Sequence, residues 1–80
     1  MIEKPIVDMT RDSDLHNLAW IHDECGGPRA AYAWAIGRIP LQGPLSTDMQ
    51  FRTADLDTSK VEDFIFKFYA AYNARFGATY

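Results

Sequence analysis

The chain has 80 residues, a hydrophobic fraction of 48% and a formal net charge of −3. That length holds one domain, residues 1–80, near the size at which folding alone becomes marginal. The single cysteine excludes an internal disulfide and suits a reducing compartment, so a cytoplasmic location is expected. The aromatic-rich composition excludes disorder, and the acidic balance argues against a general nucleic-acid binder.

There is neither a charged-then-apolar leader nor a long apolar run, so a signal peptide and a membrane span are not expected. Charge is uneven along the chain. Residues 1–25 carry Lys4 and Arg11 against Glu3, Asp8, Asp12, Asp14, Asp23 and Glu24, whereas residues 26–52 carry Arg29, Arg38 and Arg52 against Asp48. The middle is basic and the flanks are acidic, a scatter that ordinary solvated charges account for.

The first ten residues contain Pro5-Ile6-Val7-Asp8-Met9, readable as a short strand or an extended arm. A first helix is predicted over about Asp14 to Cys25. Asp12 and Ser13 are natural N-cap residues, because a short side-chain oxygen satisfies an orphan amide of the first turn. Gly26-Gly27 ends it. Leu15, Leu18, Ala19, His22 and Cys25 share one face, and Trp20 lies on the other.

A second helix is predicted from Pro28, whose missing N–H has no partner to lose at the first helical position. Its alanine content favours a helix, although Tyr32, Trp34 and Ile36 alternate as in a strand. It is apolar all round beyond Arg29 and should be the central element, with Gly37 as its stop.

Pro40, Gly43 and Pro44 make residues 38–58 irregular in expectation. Within them Met49, Phe51 and Thr53 alternate with polar residues and read as a short edge strand, pairing with residues 6–9 in a two-stranded ribbon.

The third helix has the strongest signal. Residues 59–76 hold six of the eleven aromatics, and Val61, Phe64, Ile65, Phe68, Tyr69, Tyr72 and Phe76 form one apolar stripe. Ser59 and Glu62 have capping-box spacing, Asp63 and Lys67 are an i, i+4 pair, and Gly77 supplies the left-handed end. The fold class is therefore mostly α: a compact three-helix domain with at most a short two-stranded β ribbon.

Chemistry-bearing residues crowd into residues 12–25, with His16, His22 and Cys25 among carboxylates. His22 and Cys25 share the core-facing stripe while His16 points elsewhere, and the chain has no other Cys or His. Only carboxylates would complete a metal set. His22 reads as a partly buried core residue and His16 as a surface one. Cys25 lies between opposing helix ends and beside Asp23 and Glu24, which disfavour a thiolate, so it reads as a small buried thiol. Neither a cofactor nor a metal is expected, and the chain reads as non-enzymatic.

Asp55-Leu56-Asp57-Thr58-Ser59 resembles the nucleophile motif of haloacid-dehalogenase-type phosphatases, but that family needs a parallel α/β domain which 80 residues with this pattern cannot supply. The same run resembles the start of an EF-hand loop, with Lys60 in place of the turn glycine and Phe66 in place of the bidentate glutamate. Helix capping is the simpler use of these acids. Gly26-Gly27-Pro28 lacks the lysine and serine of a phosphate loop, and Arg29 reads as solvated.

Asp14 to Arg38, with Ala33 and Gly37 four apart and Ile36 between them, resembles the first part of a helix-turn-helix of the phage repressor and Cro type. The resemblance implies a helix pair followed by a DNA-reading helix. Here Ile39-Pro40-Leu41-Gln42-Gly43-Pro44 follows, and Pro44 would break that helix.

Trp20 and Phe66 each fall off the main stripe of their helix, with Ala70 and Ala74 continuing the line of Phe66. They either pack under the N-terminal arm or the 39–53 segment, or stand exposed as aromatic anchors rimmed by Arg38 and Arg52. The expected function is a non-enzymatic regulator or inhibitor that binds a larger protein or protein complex through Trp20, Phe66, Arg38 and Arg52. In size, acidity and lack of catalytic groups it resembles small phage-encoded inhibitors such as anti-CRISPR proteins as a class. A homodimer through residues 59–76 is a further expectation. A diverged helix-turn-helix regulator that binds DNA is the alternative, and no membrane partner is expected.

Overall fold

The computed structural model describes residues 7–41, 46–77 and 80. The chain is mostly α. Helix α1 spans Asp12–Trp20, a π-helical segment follows over Ile21–Gly26, and α2 spans Gly27–Ala35. A short α3 covers Thr47–Ala54, and α4 covers Thr58–Phe76. The three predicted helices are therefore present, with the first divided into an α and a π part.

α2 is the centre, as its all-round apolarity demands. Ala30, Ala31, Tyr32, Ala33 and Ala35 are buried, and the helix packs against the π segment, α4, α3 and α1. Four alanines let the neighbouring backbones approach closely. Leu15, Leu18 and Ile21 join α2 in one core with Val61, Phe64, Ile65 and Phe68 of α4. Tyr32 meets Phe64 edge to face at 5.4 Å. Gly37, with φ of +77°, ends α2. The Arg38 amide reaches back to Ala33 O at 2.8 Å and the Gly37 amide to Trp34 O at 3.0 Å, the paired bonds of a Schellman turn. The helical reading of the Tyr32-Trp34-Ile36 alternation is thus the observed one.

Four local expectations are corrected. The predicted edge strand is α3. In a helix Met49 and Thr53 share one face, where they are half-buried and buried, and Phe51 is thrown to the other. An apolar spacing of two fits a short helix with one ring left outside. The other half of the predicted ribbon is only partly described. Residues 1–6 lie outside the described residues, 7–9 form a bend and turn, and no strand occurs among the described residues.

The caps differ as well. α1 is entered through Arg11 with no side-chain cap bond, and Asp12 instead pairs with Arg75 of α4 at 2.7 Å. Asp14 accepts from the Asp8 amide at 2.9 Å, which draws the entering chain across the first turn. Asp8 itself accepts from the Thr10 hydroxyl and amide, and these bonds hold its carboxyl below the usual range. α4 starts at Thr58, so Ser59 lies inside the first turn and cannot be the cap. Asp57 takes that place, accepting from the Ser59 amide at 2.9 Å and the Lys60 amide at 3.4 Å. Gly77 closes α4 in the left-handed conformation, as expected.

Candidate functional site

Of the predicted anchors, Phe66 is 65% exposed on α4 and Trp20 is 41% exposed at the end of α1. Both lie opposite the buried face of their helix, so neither is core. Ala70 and Ala74 are exposed along the line of Phe66, and the Phe66 ring meets Tyr69 edge-on at 6.4 Å. Phe51 joins these as a third outward ring, 72% exposed on α3. It was missed because the segment read as a strand.

The two arginines meet, but in unlike roles. Arg38 pairs with Asp55 at 2.8 Å and reaches the Arg52 carbonyl at 3.4 Å, which ties the end of α2 to the end of α3. Arg52 is exposed beside Phe51. Arg29, expected in solvent, is turned inward. Its guanidinium donates to Thr53 O at 3.0 Å, Ala54 O at 3.2 Å, Leu56 O at 2.6 Å and Thr58 Oγ1 at 3.2 Å. It fastens the α3–α4 turn to α2 and satisfies carbonyls that the short helix leaves open.

A second polar group joins segments far apart in sequence. His22 of the π segment places Nδ1 2.9 Å from Asp23 Oδ1 and Nε2 2.7 Å from the Tyr69 hydroxyl. Tyr80 donates its hydroxyl to Asp23 Oδ2 at 3.0 Å and its amide to Asn73 Oδ1 at 3.0 Å. Its ring stacks on Tyr69 at 5.0 Å and meets Phe68, His22 and Tyr72 at 5.3 Å. Burial, followed by the Asp23 bond, raises the Tyr80 phenol above its ordinary value and keeps it a donor. Helical pattern had placed His22 and Tyr69 on inward stripes. Two amphipathic side chains on buried faces need polar partners, and that was the available signal for the pair.

A carboxylate, imidazole and hydroxyl in a row is the order of a nucleophile relay. Here the hydroxyl is a half-buried phenol under the Tyr80 ring, and the cavity lined by Tyr32 and Phe64 does not include it. The row works as a clasp between the π segment and α4. π-helical turns are frequent at functional sites; this one brings His22 and Asp23 to the clasp. Burial and Glu24 push the Cys25 thiol up, away from the reactive thiolate. His16, outward on α1, meets the Phe76 ring at 4.6 Å with the planes tilted by 31°, so the two histidines serve different partners. Among the described residues no three His, Cys, Asp or Glu side chains are grouped to hold a metal. Asp55 and Asp57, the acids of the phosphatase-like and EF-hand-like run, are the Arg38 partner and the α4 cap.

The fold and this surface define a small, mostly α domain with outward aromatic rings on three helices and an internal aromatic clasp. No family model matches the chain, and neither the curated proteins nor the solved structures yield a match. No described helix is long and apolar enough to cross a membrane.

Proposed function

We propose that this chain is a non-enzymatic binding protein that regulates or blocks a larger protein partner. The observation that supports the reading is the set of exposed rings, Phe51 at 72%, Phe66 at 65% and Trp20 at 41%. Each sits on a helix whose other face is already buried, so folding gains little from them. Aromatic side chains with adjacent arginine are the usual anchors of protein interfaces. Phe66 with Ala70 and Ala74 offers a low ridge for a partner helix, and Phe51 with Arg52 offers a second contact. Arg38 acts on this surface indirectly, by holding the α3 end through Asp55 and the Arg52 carbonyl.

The acidity, the small size and the absence of an activated nucleophile among the described groups favour an inhibitor of the phage-encoded, anti-CRISPR kind, acting in the cytoplasm. A duplex-reading alternative needs a cationic helix after Gly37. The helix that follows, α3, balances Arg52 with Asp48, which favours a protein partner over DNA.

Affinity capture with quantitative proteomics tests the reading. Phe66→Ala and Trp20→Ala should each weaken capture of one partner by about 2 kcal/mol or more, roughly thirtyfold. Their thermal midpoints should stay near that of the parent chain. Phe68→Ala, two residues along but fully buried, should instead cost roughly 3–5 kcal/mol of stability. Light scattering across concentration identifies a homodimer through α4 as the alternative occupant. Capture that survives both exposed-ring substitutions, or substrate turnover by the purified chain, overturns the proposal.

A further inference from the structure

A cavity of about 400 Å³ lies between the 7–9 segment, α2 and α4, on a surface distinct from the clasp. We propose that it binds a monoanionic amphiphile: a small molecule with an apolar chain or ring and one carboxylate. Its volume falls within the range of small-molecule sites. Tyr32 and Phe64, 3% and 5% exposed, form the rigid part of the wall, and their edge-to-face contact at 5.4 Å fixes both rings. Val7 and Met9 complete the apolar lining. Methionine adapts its shape to an irregular guest.

Among the described residues, the charged part of the lining belongs to α4. Lys60, Asp63 and Lys67 lie at i, i+3 and i+7, so one helix face carries all three to the mouth. All are exposed, and neither ammonium lies within ion-pair distance of an acid among the described residues. Among the described lining residues, two cations against one anion leave a single positive excess at the rim of an apolar hollow. A carboxylate head matches that excess. A cationic head would meet repulsion from both lysines, and a neutral one would leave the excess unused. Lysine stems can lie along an apolar chain while their ammonium groups stay in water.

The test is a titration of the full chain with octanoate and decanoate below their micellar concentrations, followed by calorimetry and by the ring signals of Tyr32 and Phe64. Decanol and decyltrimethylammonium are the neutral and cationic controls. The carboxylates should saturate one site, with affinity rising about fourfold per added methylene while the hollow still has room. A Lys60→Ala, Lys67→Ala double variant should weaken decanoate about tenfold and leave decanol unchanged. Because both lysines are exposed, this variant keeps its thermal midpoint. Met9→Trp, which fills the hollow, should abolish binding of both ligands in a folded chain. Decanoate binding no tighter than decanol, or decanoate binding indifferent to both variants, overturns the proposal. These outcomes leave the protein-binding reading untouched, since Phe66, Trp20 and Phe51 are not in the lining.

Discussion

Arg29 sets its guanidinium against three backbone carbonyls and one hydroxyl, all between Thr53 and Thr58. In sequence it is an arginine after a proline at a helix start, a position that says solvent or anion. The partners come from a turn twenty-five residues on, and nothing local announces them. The planar fork matters here because Nε and Nη2 donate in different directions to carbonyls of one turn. Arg29→Ala should destabilise the chain by about 2–3 kcal/mol, since hydrogen bonds from a charged donor are lost and half-buried carbonyls go unpaired. Arg29→Lys should recover less than half of that, because an ammonium cannot span the same set. Urea unfolding of the three proteins measures the difference; a lysine variant equal to the parent would show that charge alone holds the turn.

The helices differ in how well the sequence reveals them. α4 is plain because its apolar residues keep the helical period from Val61 to Phe76 and Gly77 marks the end. α2 is plain because alanine dominates and glycines mark its two ends, Gly27 at its first residue with φ of +81° and Gly37 just beyond its last with +77°. α3 is hidden because eight residues are too few to separate the two periods. Its real core contacts, Met49 and Thr53, are one helical turn apart, and Phe51 between them belongs to the surface. The start of α4 was misplaced for a related reason: Ser59 and Glu62 carry the capping-box pattern, yet Asp57 already holds the first free amides. Asp57→Ala should therefore cost about 1 kcal/mol, the usual loss of an N-cap. Ser59→Ala, within the first turn, should be close to neutral, as alanine is the better helix former. Thermal or urea melts of the pair distinguish the caps, and equal losses at both positions would restore the serine to the capping role.

At the scale of the whole molecule, the mostly α class follows from periodicity alone, whereas the clasp that joins the segments does not. His22 and Tyr69 are 47 positions apart, and Tyr80 reaches Asp23 from the far end of the chain. Each residue type was visible, but pairing across that separation depends on how α1, the π segment and α4 are stacked. Trp20 and Phe66 were legible for the opposite reason, since a large apolar side chain off its stripe is a local mismatch that needs no partner to be seen; Phe51 was not, because its own stripe was unrecognised. The clasp predicts a pH dependence. Burial first, and the Asp23 bond second, raise the Tyr80 phenol above its ordinary value of 10.0, so the folded chain keeps a proton that the unfolded chain releases. That contribution is complete below about pH 10 and is lost as the pH climbs further. Water still reaches 37% of Tyr80, which moderates the effect. Tyr80→Phe should lower stability at neutral pH by about 1 kcal/mol, the net worth of one hydrogen bond. It should also lose less than the parent between about pH 8 and about pH 11, because phenylalanine has no proton to give up. Thermal midpoints taken across that range should converge with rising pH; parallel curves would show that the Tyr80 hydroxyl carries none of the coupling between the chain end and the π segment.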